Sequence, residues 1–143
     1  MDVEKYRRLF LEEATEHLAQ MSAALLSLEK EPADREAIDV CFRMAHSIKG
    51  MAASLDYAGV TQVAHRLEDC MDGFRAAGRV DPVAGLPLLF RGLEGLEAMV
   101  EVVRRTGAGP PADPELVAAL SPASTPTGRG PDPGSKKKPP LRA

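Results

Sequence analysis

The chain has 143 residues, enough for one domain and a tail. It is 44% hydrophobic and 27% charged and contains no tryptophan, which suits a soluble domain rich in helix formers. A formal net charge of -3 argues against a nucleic-acid partner, and no run of about 18 apolar residues is present to span a membrane.

The amino terminus carries acids and lacks an apolar signal core, so a secretory leader is not expected. Cys41 and Cys70 are the two cysteines. Both fall within helical patterns and lack metal-ligand spacing. They read as reduced thiols packed in a core, which points to a cytoplasmic setting.

Residues 2 to 30 read as a long helix. Val3, Tyr6, Phe10, Ala14, Leu18, Met21, Leu25 and Leu28 recur at intervals of three and four. Asp2 can cap it, and Glu4 sits in the first turn, where the helix dipole favours negative charge. Glu12, Glu13 and Glu16 form a solvated acidic face, and Pro32 marks the end. His17 lies within the apolar stripe and reads as a satisfied core or boundary histidine.

Asp34 caps a second helix running to about residue 55. Its stripe is Ile38, Cys41, Met44, Ala45, Ile48, Ala52 and Leu55. His46 points away from that stripe. Lys49, Gly50 and Ala53 share its face. An imidazole therefore stands in solvent one turn from an ammonium, beside two residues with almost no side chain. Gly50 costs about 1 kcal/mol in a helix interior relative to Ala. Close approach of another macromolecule would compensate for that cost.

Asp56-Tyr57-Ala58-Gly59 reads as a short break. A third helix follows to about residue 77, with the stripe Val60, Val63, Ala64, Leu67, Met71 and Phe74, and Gly78 stops it. His65 and Glu68 share its polar face with Thr61, Gln62 and Asp72. Asp81-Pro82 offers a start for a fourth helix. Pro87 requires either a later start near Gly85 or a kink. Leu89, Leu93, Leu96, Val100 and Val103 form the fourth stripe. Gly92 and Gly95 weaken that helix or let it pack closely, and Thr106-Gly107 closes it.

Beyond residue 108 lie nine of the twelve prolines. Asp113 can cap a short fifth helix over 114 to 120. The remainder, rich in Pro, Gly, Ser and Lys, cannot bury enough apolar surface to order itself. Lys136-Lys137-Lys138 is linker charge, not a nucleic-acid site. The domain plan is an all-α, up-down-up-down four-helix bundle over 1–106, a linker with a candidate fifth helix over 107–122, and a disordered linker over 123–143.

His46-x-x-Lys49-Gly50, followed on the next helix by His65-x-x-Glu68, resembles the histidine phosphotransfer (HPt) domain, most closely the N-terminal domain of a CheA-type chemotaxis histidine kinase. The resemblance covers residues 1 to 106. It implies that His46 receives a phosphoryl group from an ATP-bound kinase domain and passes it to an Asp of a response regulator receiver domain. It also implies that Glu68 hydrogen-bonds the other nitrogen of His46, with His65 and Lys49 completing the network. Lys49 would offset phosphoryl charge, and Gly50 and Ala53 would clear the approach for docking partners. Met51 stands where the family commonly has Ser or Gly, and Asp56-Tyr57 where Gly-Phe is often found.

The residues alone fit that chemistry. An exposed imidazole is largely neutral and nucleophilic near neutral pH, and phosphoryl transfer asks a protein chiefly for positioning and charge stabilisation. No P-loop or glycine-rich nucleotide signature is present. No cofactor is therefore expected on this chain: ATP and Mg would sit on the partner kinase domain. The reading is a phosphoryl carrier, not a kinase by itself; if the chain is the front of a chemotaxis kinase, as the resemblance implies, the catalytic and dimerisation domains lie beyond residue 143. Two rivals are a non-catalytic helical docking module and a metal-binding bundle. Di-metal bundles use Glu-x-x-His motifs projecting inward, whereas His65-x-x-Glu68 has the reverse order.

Overall fold

A computed structural model describes residues 2–121. Four long helices, α1 (Val3–Lys30), α2 (Arg35–Ser54), α3 (Ala58–Ala77) and α4 (Gly85–Thr106), are followed by a single short one, α5 (Pro114–Ala119). No strand occurs among the described residues. The long helices pack in a ring: α1 on α2, α2 on α3, α3 on α4 and α4 on α1, while the diagonal pairs make no close backbone approach. Contacts run in opposite senses along each pair. Arg7 lies against Gly107 and Arg104 reaches Thr15, so α1 and α4 are antiparallel. Asp39 meets Arg75 and His46 meets Glu68, so α2 and α3 are antiparallel as well.

The ends of the helices follow from local chemistry. Asp2 accepts from the Lys5 amide, Asp34 from Ala37 and Asp113 from Glu115, each satisfying an otherwise orphaned donor of a first turn. Gly78 and Gly107 close α3 and α4 in the left-handed region, at φ 81° and 79°. The start of α4 resolves the two options left by Pro87. Asp81 caps the turn before the helix through the amides of Val83 and Ala84, and the helix begins at Gly85. Pro87 then falls in the first turn, where its missing N–H leaves no bond unmade.

The core forms from the stripes expected of each helix, with Phe10, Met21, Leu25, Ile38, Ile48, Leu67, Met71, Phe74, Leu89 and Leu96 almost wholly buried. Cys41 and Cys70 are both buried, and the Cys70 thiol donates to the carbonyl of Leu120 at 3.3 Å. Burial pushes the Cys41 thiol up to about 12, as an apolar surrounding disfavours the thiolate. Met44 and Leu55, expected in the core, sit only partly buried at its edge.

Val3 and Tyr6 depart further from expectation. They are 56% and 46% exposed, facing an open groove instead of the core. With Leu9, Phe10, Met51, Ser54 and Leu55 they line an apolar groove of about 600 Å³ between α1 and the last turns of α2.

Close packing explains two glycines of α4. A Cβ on Gly92 would come within 2.8 Å of Leu67, and one on Gly95 within 2.5 Å of Leu116 from α5. The fourth helix is thus drawn tight on one side to α3 and on the other to α5. Residues 123–143, expected to form a disordered linker with its lysine run, lie outside the described residues.

Candidate functional site

The site is built across the seam between α2 and α3. The stripe of α2 is anchored in the core by Ile38, Cys41, Ala45, Ile48 and Ala52, all buried. That anchoring sets the rotation of the helix and holds His46 outward, its side chain 61% exposed. Its Nδ1 lies 2.6 Å from Oε2 of Glu68. The second oxygen of the same carboxylate, Oε1, lies 2.6 Å from Nζ of Lys49. One carboxylate on α3 therefore holds two side chains from successive turns of α2.

Glu68 was read as part of an outward polar face. It is instead turned into the seam and only 9% exposed, the one charged residue buried in the described bundle. Burial raises its carboxyl pKa. The hydrogen bonds and positive charges of Lys49 and His46 outweigh that burial and hold the carboxyl below the usual carboxylate range. The group is thus a carboxylate, an acceptor only. The nitrogen facing it must carry a proton, so Nε2 presents its lone pair to solvent.

Lys49, which the resemblance implies completes the network around His46 and Glu68, is brought into it. Its ammonium lies against Glu68, with the side chain 27% exposed.

His65 does not complete this network. Its ring is 57% exposed and its Nε2 is 3.8 Å from Asp69, too far for a hydrogen bond. The reason is helical geometry. Three residues fall about 60° short of a full turn, so when Glu68 faces the seam, His65 is carried around to solvent. His17 also differs from expectation: its Nδ1 is shut away from solvent with no hydrogen-bond partner among the described residues.

Gly50 and Ala53 continue the face of His46, and both are exposed. A Cβ on Gly50 would meet nothing within 4 Å. No neighbour among the described residues requires glycine there, in contrast to Gly92. Phe42, one turn before His46, was missed by sequence reasoning. Its ring stacks on the imidazole at a centroid distance of 6.3 Å, with the planes 13° apart.

Residues 5–106 match the family described as the Hpt domain. The chain belongs to the Hpt family. This Hpt domain is 36% identical over 109 residues to "Chemotaxis protein CheA" of Bacillus subtilis (strain 168), a match covering 76% of this chain and 16% of that protein. It is 31% identical over 105 residues to the protein of the same name from Halobacterium salinarum, covering 73% of this chain and 16% of the relative. A "Gliding motility regulatory protein" of Myxococcus xanthus is 33% identical over 128 residues, covering 87% of this chain and 16% of its own length. The chain thus spans about a sixth of the length of these relatives. The family and its CheA relatives support a phosphotransfer role in two-component signalling for this Hpt domain.

Among the described residues of the Hpt domain, no three His, Cys, Asp or Glu side chains are grouped so that they could hold a metal ion. No described helix is long and apolar enough to cross a membrane.

Proposed function

We propose that His46 is the phosphoryl acceptor, through Nε2, and that the domain carries the group between two cytoplasmic proteins. The donor is the ATP-binding domain of a histidine kinase, with ATP and Mg bound there. The acceptor is an Asp of a response regulator receiver domain. The observation that carries this reading is the exposed imidazole whose Nδ1 is 2.6 Å from a buried carboxylate.

The chemistry runs in two displacements. The Nε2 lone pair attacks the γ-phosphorus of ATP, an N–P bond forms, and the P–O bond to ADP breaks. The imidazole gains positive charge in this step. Glu68, already ionised and hydrogen-bonded to Nδ1, stabilises that charge and holds the proton of the neutral ring on Nδ1, which leaves the lone pair on Nε2. In the second step the receiver carboxylate attacks the same phosphorus, and the N–P electrons return to Nε2. Lys49 acts first on Glu68, holding it as a carboxylate and in place, and lends positive charge to the phosphoryl oxygens within the same turn. His65 serves as a solvated side chain and not as part of the transfer machinery.

Gly50 and Ala53 serve docking. The empty space above Gly50 keeps the approach to Nε2 clear. The groove lined by Met51, Ser54 and Leu55 extends that surface with apolar area toward α1, the kind of patch that marks a protein contact.

The test is to mix the chain with a chemotaxis kinase core and labelled ATP. Acid-labile, base-stable phosphate should appear on His46 by mass spectrometry or phosphorus NMR. His46→Gln should abolish labelling and leave the helical circular dichroism unchanged. Normal labelling of that variant would move the acceptor elsewhere, and no labelling of the wild type by any kinase core would leave a docking module.

A further inference from the structure

Phe42 is only half-buried and packs on the core from outside. Such a ring needs a reason to stay in one place. Arg75 of α3 supplies it: the guanidinium carbon lies 4.2 Å from the ring centroid of Phe42. Arg75 is itself fixed by Asp39 of α2, 3.3 Å from Nε, with Asp72 of α3 at 3.9 Å. Asp39 and Phe42 thus meet Arg75 across the same seam that Glu68 closes. A second clasp stands beside the first, and the aromatic ring between them lies nearly parallel to the imidazole.

From this arrangement we infer that Phe42 is a positioning residue for His46, a flat platform held by Arg75 that fixes the plane of the imidazole. The Glu68 hydrogen bond pins one atom of the ring. It does not by itself stop the ring from pivoting about that point, since the terminal torsion of histidine is broad and two-fold. A nearly parallel ring at this separation lies within the range of offset aromatic pairs, and it restricts the pivot. The in-plane lone pair on Nε2 then has one direction. An in-line displacement at phosphorus depends on that direction, because misalignment of a reacting atom costs rate even when binding is unchanged. Asp39, Phe42, Asp72 and Arg75 form a motif with spacing i, i+3 on each helix.

The inference rests on His46 being the acceptor, so the test has one arm that needs no phosphate. Phe42→Leu keeps apolar volume and removes the flat face. Arg75→Gln removes the cation at a site whose side chain is 41% exposed, where folding is not at risk. Phe42→Tyr keeps the platform. In kinase-dependent labelling, Phe42→Leu should lower kcat about 5-fold with KM for the kinase domain unchanged, the size expected of one aromatic pair. Arg75→Gln should lower kcat about 2-fold in the same way, and Phe42→Tyr should restore the wild-type value. In the unphosphorylated chain, the side-chain order of His46, read by NMR relaxation at its ring carbons, should fall in Phe42→Leu and stay put in Phe42→Tyr. Wild-type kcat in both Phe42→Leu and Arg75→Gln, or unchanged ring order, would overturn the platform. So would a loss confined to KM, which would make Phe42 a partner contact. If the wild type takes no phosphate on His46, the acceptor reading fails, and the ring order still decides whether Phe42 orients the ring.

Discussion

At the scale of single residues, the chemistry turns on Glu68. Its two oxygens hold Nδ1 of His46 and Nζ of Lys49, each at 2.6 Å. Replacing it with Gln keeps the shape and removes the charge, so the imidazole loses its electrostatic partner. Glu68→Gln should slow phosphorylation about 10-fold or more, equivalent to about 1.4 kcal/mol of transition-state stabilisation. Initial rates with a kinase core at saturating domain measure this.

The same carboxylate sets an acid limit on the seam. Its folded-state pKa lies below the ordinary 4.5, so ionised Glu68 stabilises the fold above that value, and the contribution is lost as pH falls through the folded pKa. Urea denaturation from about pH 7 down to about pH 3 should show the wild type more stable than Glu68→Gln at the upper end. The gap should close on acidification. A gap that is constant down to the lowest pH would mean that the charge contributes nothing.

At the scale of helices, the glycines separate into two kinds. Gly92 is held to glycine by its neighbour, since a Cβ would strike three atoms of Leu67, and Gly95 sits tight against the tip of Leu116. Gly50 is required by nothing among the described residues. Gly50→Ala should therefore raise stability by about 1 kcal/mol, the propensity difference between the two residues in a helix interior. Thermal unfolding checks this directly. Gly50→Leu should fold equally well yet raise KM for the kinase domain, since its side chain occupies the approach to His46.

Much of this was legible in the sequence. The stripes of α1 to α4, the caps Asp2, Asp34 and Asp113, the closing glycines Gly78 and Gly107 and the outward pointing of His46 follow from period and local chemistry alone. What depends on the rotation of two helices against each other was not. Glu68 and His65 read as equivalents on one polar face, and only packing decides that the first enters the seam while the second stays in water. Phe42 gave no signal of its own, being an aromatic at the edge of an apolar stripe. Its partner Arg75 lies 33 residues away on another helix. Val3 and Tyr6 fit the periodicity of α1, but periodicity carries no information about which turns of a helix face an open groove. Asp56 stands where the family often has Gly, and its φ of 61° shows the demand on the backbone that a glycine would meet more easily.

At the scale of the whole molecule, the bundle acts as a frame with one worked edge. The buried stripes fix all four helices, and the polar groups that matter lie on one seam, between α2 and α3. Stability and reactivity are accordingly coupled. Residues 46 and 68 stand 22 positions apart in the chain and belong to different helices. No local segment can bring them together. Labelling of His46 should vanish with urea at the same midpoint as helical circular dichroism. Reactivity that outlasts the circular dichroism would show that the imidazole works without the bundle.

On the proposed function, that separation in the chain would also act as a safeguard during synthesis. A ribosome-bound or unravelled copy already owns the histidine but lacks the paired carboxylate beside it, so it should take up phosphate far more slowly than the finished domain.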